Sequence, residues 1–144
     1  MVSNDTIRLL KECDAGSKMA VASIDDVLER VESSELKGLL QESKDHHAKL
    51  GNEIHSLLNE YGKSEKEPNP MAKGMSKMKT GMKMTMDESD STVADLITDG
   101  CNMGIKSLFR YMNQYKAADD TSKDICNRLV SIEEELRKGL RNYL

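Results

Sequence analysis

The chain is predicted to be all-α, a bundle of two helical hairpins, and two observations carry that expectation. Apolar residues recur at alternating spacings of three and four along four long stretches, the mark of helices with one buried stripe. In addition, Cys13-Asp14-Ala15-Gly16-Ser17-Lys18 is echoed by Cys101-Asn102-Met103-Gly104-Ile105-Lys106, and each copy sits in one long helical pattern followed by another. A repeated pair of long helices packs most simply as a four-helix bundle.

Taken in order, helix one is expected from about Asp5 to Val31, capped by Asn4 or Asp5. Its stripe is Ile7, Leu10, Asp14, Ser17, Val21, Ile24, Leu28 and Val31. Ser33-Ser34 breaks the pattern, and Ser34 can cap the next helix. Helix two is expected from about Glu35 to Tyr61, with Leu36, Leu40, Ser43, His47, Leu50, Ile54, Leu57 and Tyr61 inward. Gly62 then suits a left-handed terminating residue. Pro68 and Pro70 open a segment of different character, read as exposed linker. Met71, Met75, Met78 and Met82 follow at spacings of four, three and four, with lysines between them. That is the pattern of a short amphipathic helix, weakened by Gly74 and Gly81. Helix three is expected from Ser91 or Thr92 to Ala117, with Val93, Ile97, Cys101, Gly104, Ile105, Leu108, Met112 and Tyr115 inward. Helix four is expected from Thr121 to Tyr143, with Ile125, Leu129, Ile132, Leu136, Leu140 and Tyr143 inward and a cap from Asp119-Asp120-Thr121. Matching Tyr61 to Tyr143 superposes the stripes of helices two and four. The organisation is therefore one domain over 1–144: a hairpin at 5–62, a Met-rich crossover at 63–90 and a hairpin at 91–144.

Composition narrows the function. The 144 residues carry a net charge of −4, which argues against a nucleic-acid binder, since that needs a basic face. No apolar run approaches the roughly 20 residues of a membrane span. The start Met1-Val2-Ser3-Asn4-Asp5 lacks the basic and apolar regions of a signal peptide. Cys13, Cys101 and Cys126 are widely spaced and odd in number, which suits a reducing cytoplasm better than a disulfide framework. No phosphate-binding glycine loop, nucleophile elbow or zinc-finger spacing is present, so no enzymatic activity is expected.

With this helix order, the Asp14 and Lys106 neighbourhoods and the crossover from Gly62 through Pro68 to Met82, the chain resembles the ferritin-like superfamily. More closely it is similar to an uncharacterised bacterial branch, a domain of unknown function. The resemblance covers nearly the whole chain and implies a ferritin-like four-helix bundle with a short crossover helix. In such families a carboxylate on helices one and three, and Glu-x-x-His on helices two and four, hold two metals. Carried over, the helix-two His falls on His47 and its Glu on Lys44. The helix-one position falls near Ser17, helix three near Cys101 or Ile105, and the helix-four pair on Cys126 and Leu129. One ligand survives, so the resemblance implies no working di-iron centre.

His47 is read as a core histidine bonded to a neighbour such as Ser17 or Ser43, with a metal role as the alternative. Cys101 is expected near the level of His47, with Cys13 and Cys126 together further along the bundle. His47 and Cys101 could hold a soft metal such as zinc, while buried cysteines as small hydrophobes are the plainer reading. The methionine stripe Met71, Met75, Met78 and Met82 is read as a face sealing the bundle, with a protein-docking surface and copper(I) as alternatives. The expected function is a cytoplasmic, non-enzymatic interaction or scaffold protein without a cofactor, its partner another protein or a second copy. The alternative is a metal-binding or redox protein with an altered ligand set around His47 and Cys101.

Overall fold

The computed structural model describes residues 2–62 and 89–144. Four helices pack against one another: α1 (Asn4–Leu28), α2 (Ser34–Glu60), α3 (Asp90–Gln114) and α4 (Asp120–Leu140), followed by a short 3-10 turn at Arg141–Tyr143. Met71, Met75, Met78 and Met82, and the expected crossover helix, lie outside the described residues.

Each helix starts where a side-chain oxygen can reach the backbone N–H three residues on, satisfying one of the donors that the first turn leaves orphaned. Ser3 accepts from Thr6 N at 3.2 Å, Ser33 from Leu36 N at 3.2 Å, Ser89 from Thr92 N at 3.2 Å and Asp119 from Ser122 N at 2.9 Å. All four helices thus begin at least one residue earlier than expected. Asn4 and Ser34 are already helical, and the hydroxyl before each, on extended backbone, does the capping. An acidic residue stands in every first turn (Asp5, Glu35, Asp90, Asp120), where the helix dipole favours negative charge.

The far ends correct the expectation more. α1 stops at Leu28, not Val31, yet Val31 is buried because the turn after the helix carries it into the core. An apolar stripe can continue into a turn, so periodicity alone overshoots. α3 stops at Gln114 and α4 at Leu140 for the same reason. Gly62 does terminate the second helix in the left-handed region, with φ at 70°, and its N–H donates to Asn59 O.

Hydrogen bonds between the ends fix the topology. Asp90, at the start of α3, accepts from Glu32 N and Ser33 N in the α1–α2 turn, both at 2.9 Å. The start of α1 does the same for the α3–α4 turn. Ser3 donates to Ala117 O at 3.2 Å, Asp5 accepts from Ala117 N at 3.0 Å and Thr6 Oγ1 accepts from Asp119 N at 2.8 Å. Helices α2 and α3 therefore run in the same direction, opposite to α1 and α4. Each hairpin's turn is held by the first residues of the other hairpin.

The core divides into two apolar clusters. One gathers Leu9, Leu10 and Cys13 with Leu50, Ile54, Leu58, Leu108, Ile125 and Leu129. The other gathers Ile24 and Val27 with Leu36, Leu40, Val93, Ile97, Leu136 and Leu140. Leu58 and Val27 take the buried places expected for Leu57 and Leu28, which are half-buried. A straight helix turns in 3.6 residues, so a strict three–four alternation drifts off the seam; the step of four from Ile54 to Leu58 corrects that drift, whereas Val27 follows Ile24 by three as α1 runs into its turn.

Asp90→Ala should free both N–H groups of the α1–α2 turn and cost about 1–2 kcal/mol, the scale of a charge-assisted cap. Urea unfolding of the two proteins checks this, and an unchanged midpoint would mean that water replaces the carboxylate without loss.

Candidate functional site

Between the apolar clusters lies a layer of buried polar side chains drawn from all four helices. Asp14 and Ser17 come from α1, Ser43 and His47 from α2, Cys101 from α3 and Glu133 from α4. His47 is fully buried. Its Nδ1 lies 2.8 Å from the Ser43 carbonyl and 3.4 Å from the Ser43 hydroxyl. A carbonyl can only accept, so Nδ1 carries a hydrogen and donates. The other ring nitrogen, Nε2, is 2.9 Å from Glu133 Oε1. That contact needs one proton, held on either atom, and with it the pair is neutral as a unit.

Glu133 also receives the Cys101 thiol. Burial, and then the charge and hydrogen bond of Glu133, push the Cys101 thiol far up, so it stays protonated and is a poor nucleophile. Gly104, the glycine of the repeated motif, lies beside this carboxyl group: a Cβ there would stand 3.7 Å from the Glu133 carboxyl carbon, an ordinary van der Waals contact. The close approach in this layer is at Gly51 on α2, where a Cβ would lie only 3.1 Å from Ser17 Oγ. Ser17 itself donates to the Asp14 carbonyl at 2.9 Å. The Asp14 carboxylate is 1% exposed and faces Lys18 Nζ at 3.1 Å. Oδ2 is the oxygen that meets the ammonium, and the lysine offsets its charge as an ion pair.

His47 and Cys101, the two metal candidates of the sequence, are thus connected through Glu133, which sequence reasoning missed. The signal was present. Leu129, Glu133, Leu136 and Leu140 are spaced four, three and four, and Glu133 fills the inward place expected for Ile132, which is half-buried. Of the carried-over positions, Lys44 pairs with Asp25 instead of lining the layer. Cys126 bonds with Cys13 away from His47. His46 and His55 are exposed. Among the described residues, no three His, Cys, Asp or Glu side chains are arranged to hold a metal ion.

A shallow groove of about 370 Å³ follows the α2–α4 surface, lined by His46, Lys49, Leu50, Glu53, Arg128 and Ile132. Arg128 spans it with a forked pair of hydrogen bonds to Glu53, at 2.8 and 2.9 Å. Those bonds, more than the bare charge of Arg128, hold the Glu53 carboxyl below its usual range. Among the described residues no helix is long and apolar enough to cross a membrane.

Comparison with family models, with curated proteins and with solved structures finds no match for this chain.

Replacing Glu133 by Leu should strand the inward Nε2 of His47 and cost about 1–3 kcal/mol. The double replacement His47→Leu with Glu133→Leu should recover most of that loss, because the imidazole is no longer stranded and only the weakly polar Cys101 thiol loses its acceptor. A double-mutant cycle by chemical denaturation reads the coupling, and strict additivity would show that the two side chains do not depend on each other.

Glu53 and Arg128 are both nearly half exposed, so their pair should contribute less than about 1 kcal/mol. Because folding lowers the Glu53 pKa, that contribution is present above the unfolded carboxylate range and disappears as pH falls through the folded value. The stability gap between wild type and Glu53→Gln should accordingly shrink toward low pH. A gap that widens on acidification contradicts the assignment.

Proposed function

We propose that this chain is a non-enzymatic interaction or scaffold protein built on a ferritin-like bundle, without a working di-iron centre. One observation carries the reading: the inward polar groups at mid-bundle are spent on each other. Both ring nitrogens of His47 are engaged, and Glu133 serves the histidine and a thiol together. A di-metal centre needs several anionic ligands to offset two cations. The layer offers Glu133 and, with its charge already met by Lys18, Asp14. The up-down-down-up order of the helices and the repeated Cys-x-x-Gly segments support the ferritin-like part of the proposal. Partners would be another protein or a second copy of the chain, acting in the cytoplasm.

A second reading has its own support. His47, Glu133 and Cys101 form a histidine–carboxylate–thiol chain across three helices, and those donor types suit zinc. To bind it, Cys101 would have to lose its proton beside a carboxylate, and His47 would have to give up its bond to Glu133.

Elemental analysis after purification without chelator, followed by titration with zinc, separates the two. The first reading expects less than about one metal ion per chain and no saturable zinc binding, since the ligand inventory is incomplete. Tight, stoichiometric zinc that is lost in the Cys101→Ser variant would overturn it in favour of the second.

A further inference from the structure

Cys13 and Cys126 take no part in the polar layer. Both are free thiols and both are fully buried. Their helices, α1 and α4, run in parallel at one sequence offset. Asp119 N meets Thr6 Oγ1, 113 residues away, and Leu129 lies against Gly16 at the same offset. Cys13 and Cys126 fall on that offset too, which brings them to one level of the core. There the two thiols hydrogen-bond each other. Cys126 Sγ also donates to the Leu108 carbonyl at 3.7 Å. With that hydrogen directed at Leu108, Cys13 is the donor within the pair and Cys126 the acceptor.

We propose that Cys13 and Cys126 are a dithiol modification site, which a hydroperoxide converts into an intramolecular disulfide tying α1 to α4. In the first step Cys126 gives up its proton and its sulfur attacks one peroxide oxygen. The O–O bond breaks, an alcohol (water, from hydrogen peroxide) leaves with that proton, and Cys126 becomes a sulfenic acid. In the second step the Cys13 sulfur attacks the Cys126 sulfur. The S–S bond forms, the S–O bond breaks, and water leaves with the Cys13 proton. Two thiols and one hydroperoxide give one disulfide, one alcohol and one water.

The surroundings favour this product over others. The pair lies in an apolar cluster, and the carboxylates of Glu12 and Asp14 act unfavourably on any negative charge at Cys13. A monovalent metal held by two thiolates would leave a net negative charge there, whereas a disulfide is neutral. Acceptance of the Cys13 hydrogen bond eases ionisation of Cys126, which suits it to be the sulfur oxidised first. The third thiol, Cys101, is directed at Glu133 instead. Because both sulfurs are fully buried, oxidation should wait on transient opening of the core and be slow.

The test treats the folded full-length protein with hydrogen peroxide, alkylates the remaining thiols in denaturant and maps the peptides by mass. The expected result is one bridge per chain, Cys13 to Cys126, with a mass lower by about 2 Da before alkylation and Cys101 alkylated. The oxidised protein should melt several degrees higher, and dithiothreitol should restore the original value. The same treatment of the denatured chain should instead give a mixture of pairings that includes Cys101. Oxygen added first at Cys101, a native bridge that contains Cys101, or three alkylatable thiols surviving conditions that bridge the denatured chain would each overturn the proposal.

Discussion

The buried contact between His47 and Glu133 sets the height at which the two hairpins meet. In a bundle lined by leucine and isoleucine, sliding one helix by a turn of about 5.4 Å replaces one apolar contact by another and costs little. A polar pair removes that freedom. A slip of α4 along α2 would carry Glu133 into an apolar cluster and leave Nε2 of His47 facing hydrocarbon, two unsatisfied groups where there were none. The Ser43 carbonyl fixes the other face of the ring, so the imidazole has no alternative orientation that keeps both bonds. Such a pair adds little net stability compared with a well-packed apolar one, and its contribution is to the uniqueness of the register.

The rest of the mid-section is arranged around that contact. Gly104 places α3 beside the Glu133 carboxyl, and Cys101 supplies a further donor to it from the same helix. Gly51 allows α1 to approach α2 at the same level, with Ser17 in the space a side chain would take. The glycines shared by the two halves of the sequence, Gly16 and Gly104, thus have different neighbours. Gly16 lies against Leu129, while Gly104 lies beside a carboxyl group.

Much of this was legible in the chain. Spacing revealed four helices, and His47 stood out as polar on an apolar stripe. Its Ser43 contact follows from a separation of four residues, one helical turn. Glu133 was harder to see for two reasons. It opens a run of three glutamates, and such a run normally marks a solvated face. The superposition of helix two on helix four also pairs His47 with Leu129, because aligning repeats finds equivalent positions. Contact partners on antiparallel helices run in opposite order along the axis, so the residue facing His47 lies four further on. The helix ends were misplaced because the burial pattern outlasts the helix itself, as Val31 does. The serine caps were misplaced by one because adjacent Ser33 and Ser34 look alike until the backbone says which is extended.

The crossed fastening of the turns bears on the order in which the chain assembles. Within either hairpin, contacts close short loops and form at small entropic cost. The fastenings between hairpins join residues 57 and 58 apart at one end and 112 to 114 apart at the other. Contacts so distant along the chain are slow to find. Each turn therefore spends the early part of folding with its backbone donors still bonded to water, and acquires its partners only as the hairpins dock. The polar contact at mid-bundle, His47 to Glu133, spans 86 residues and waits on the same docking step.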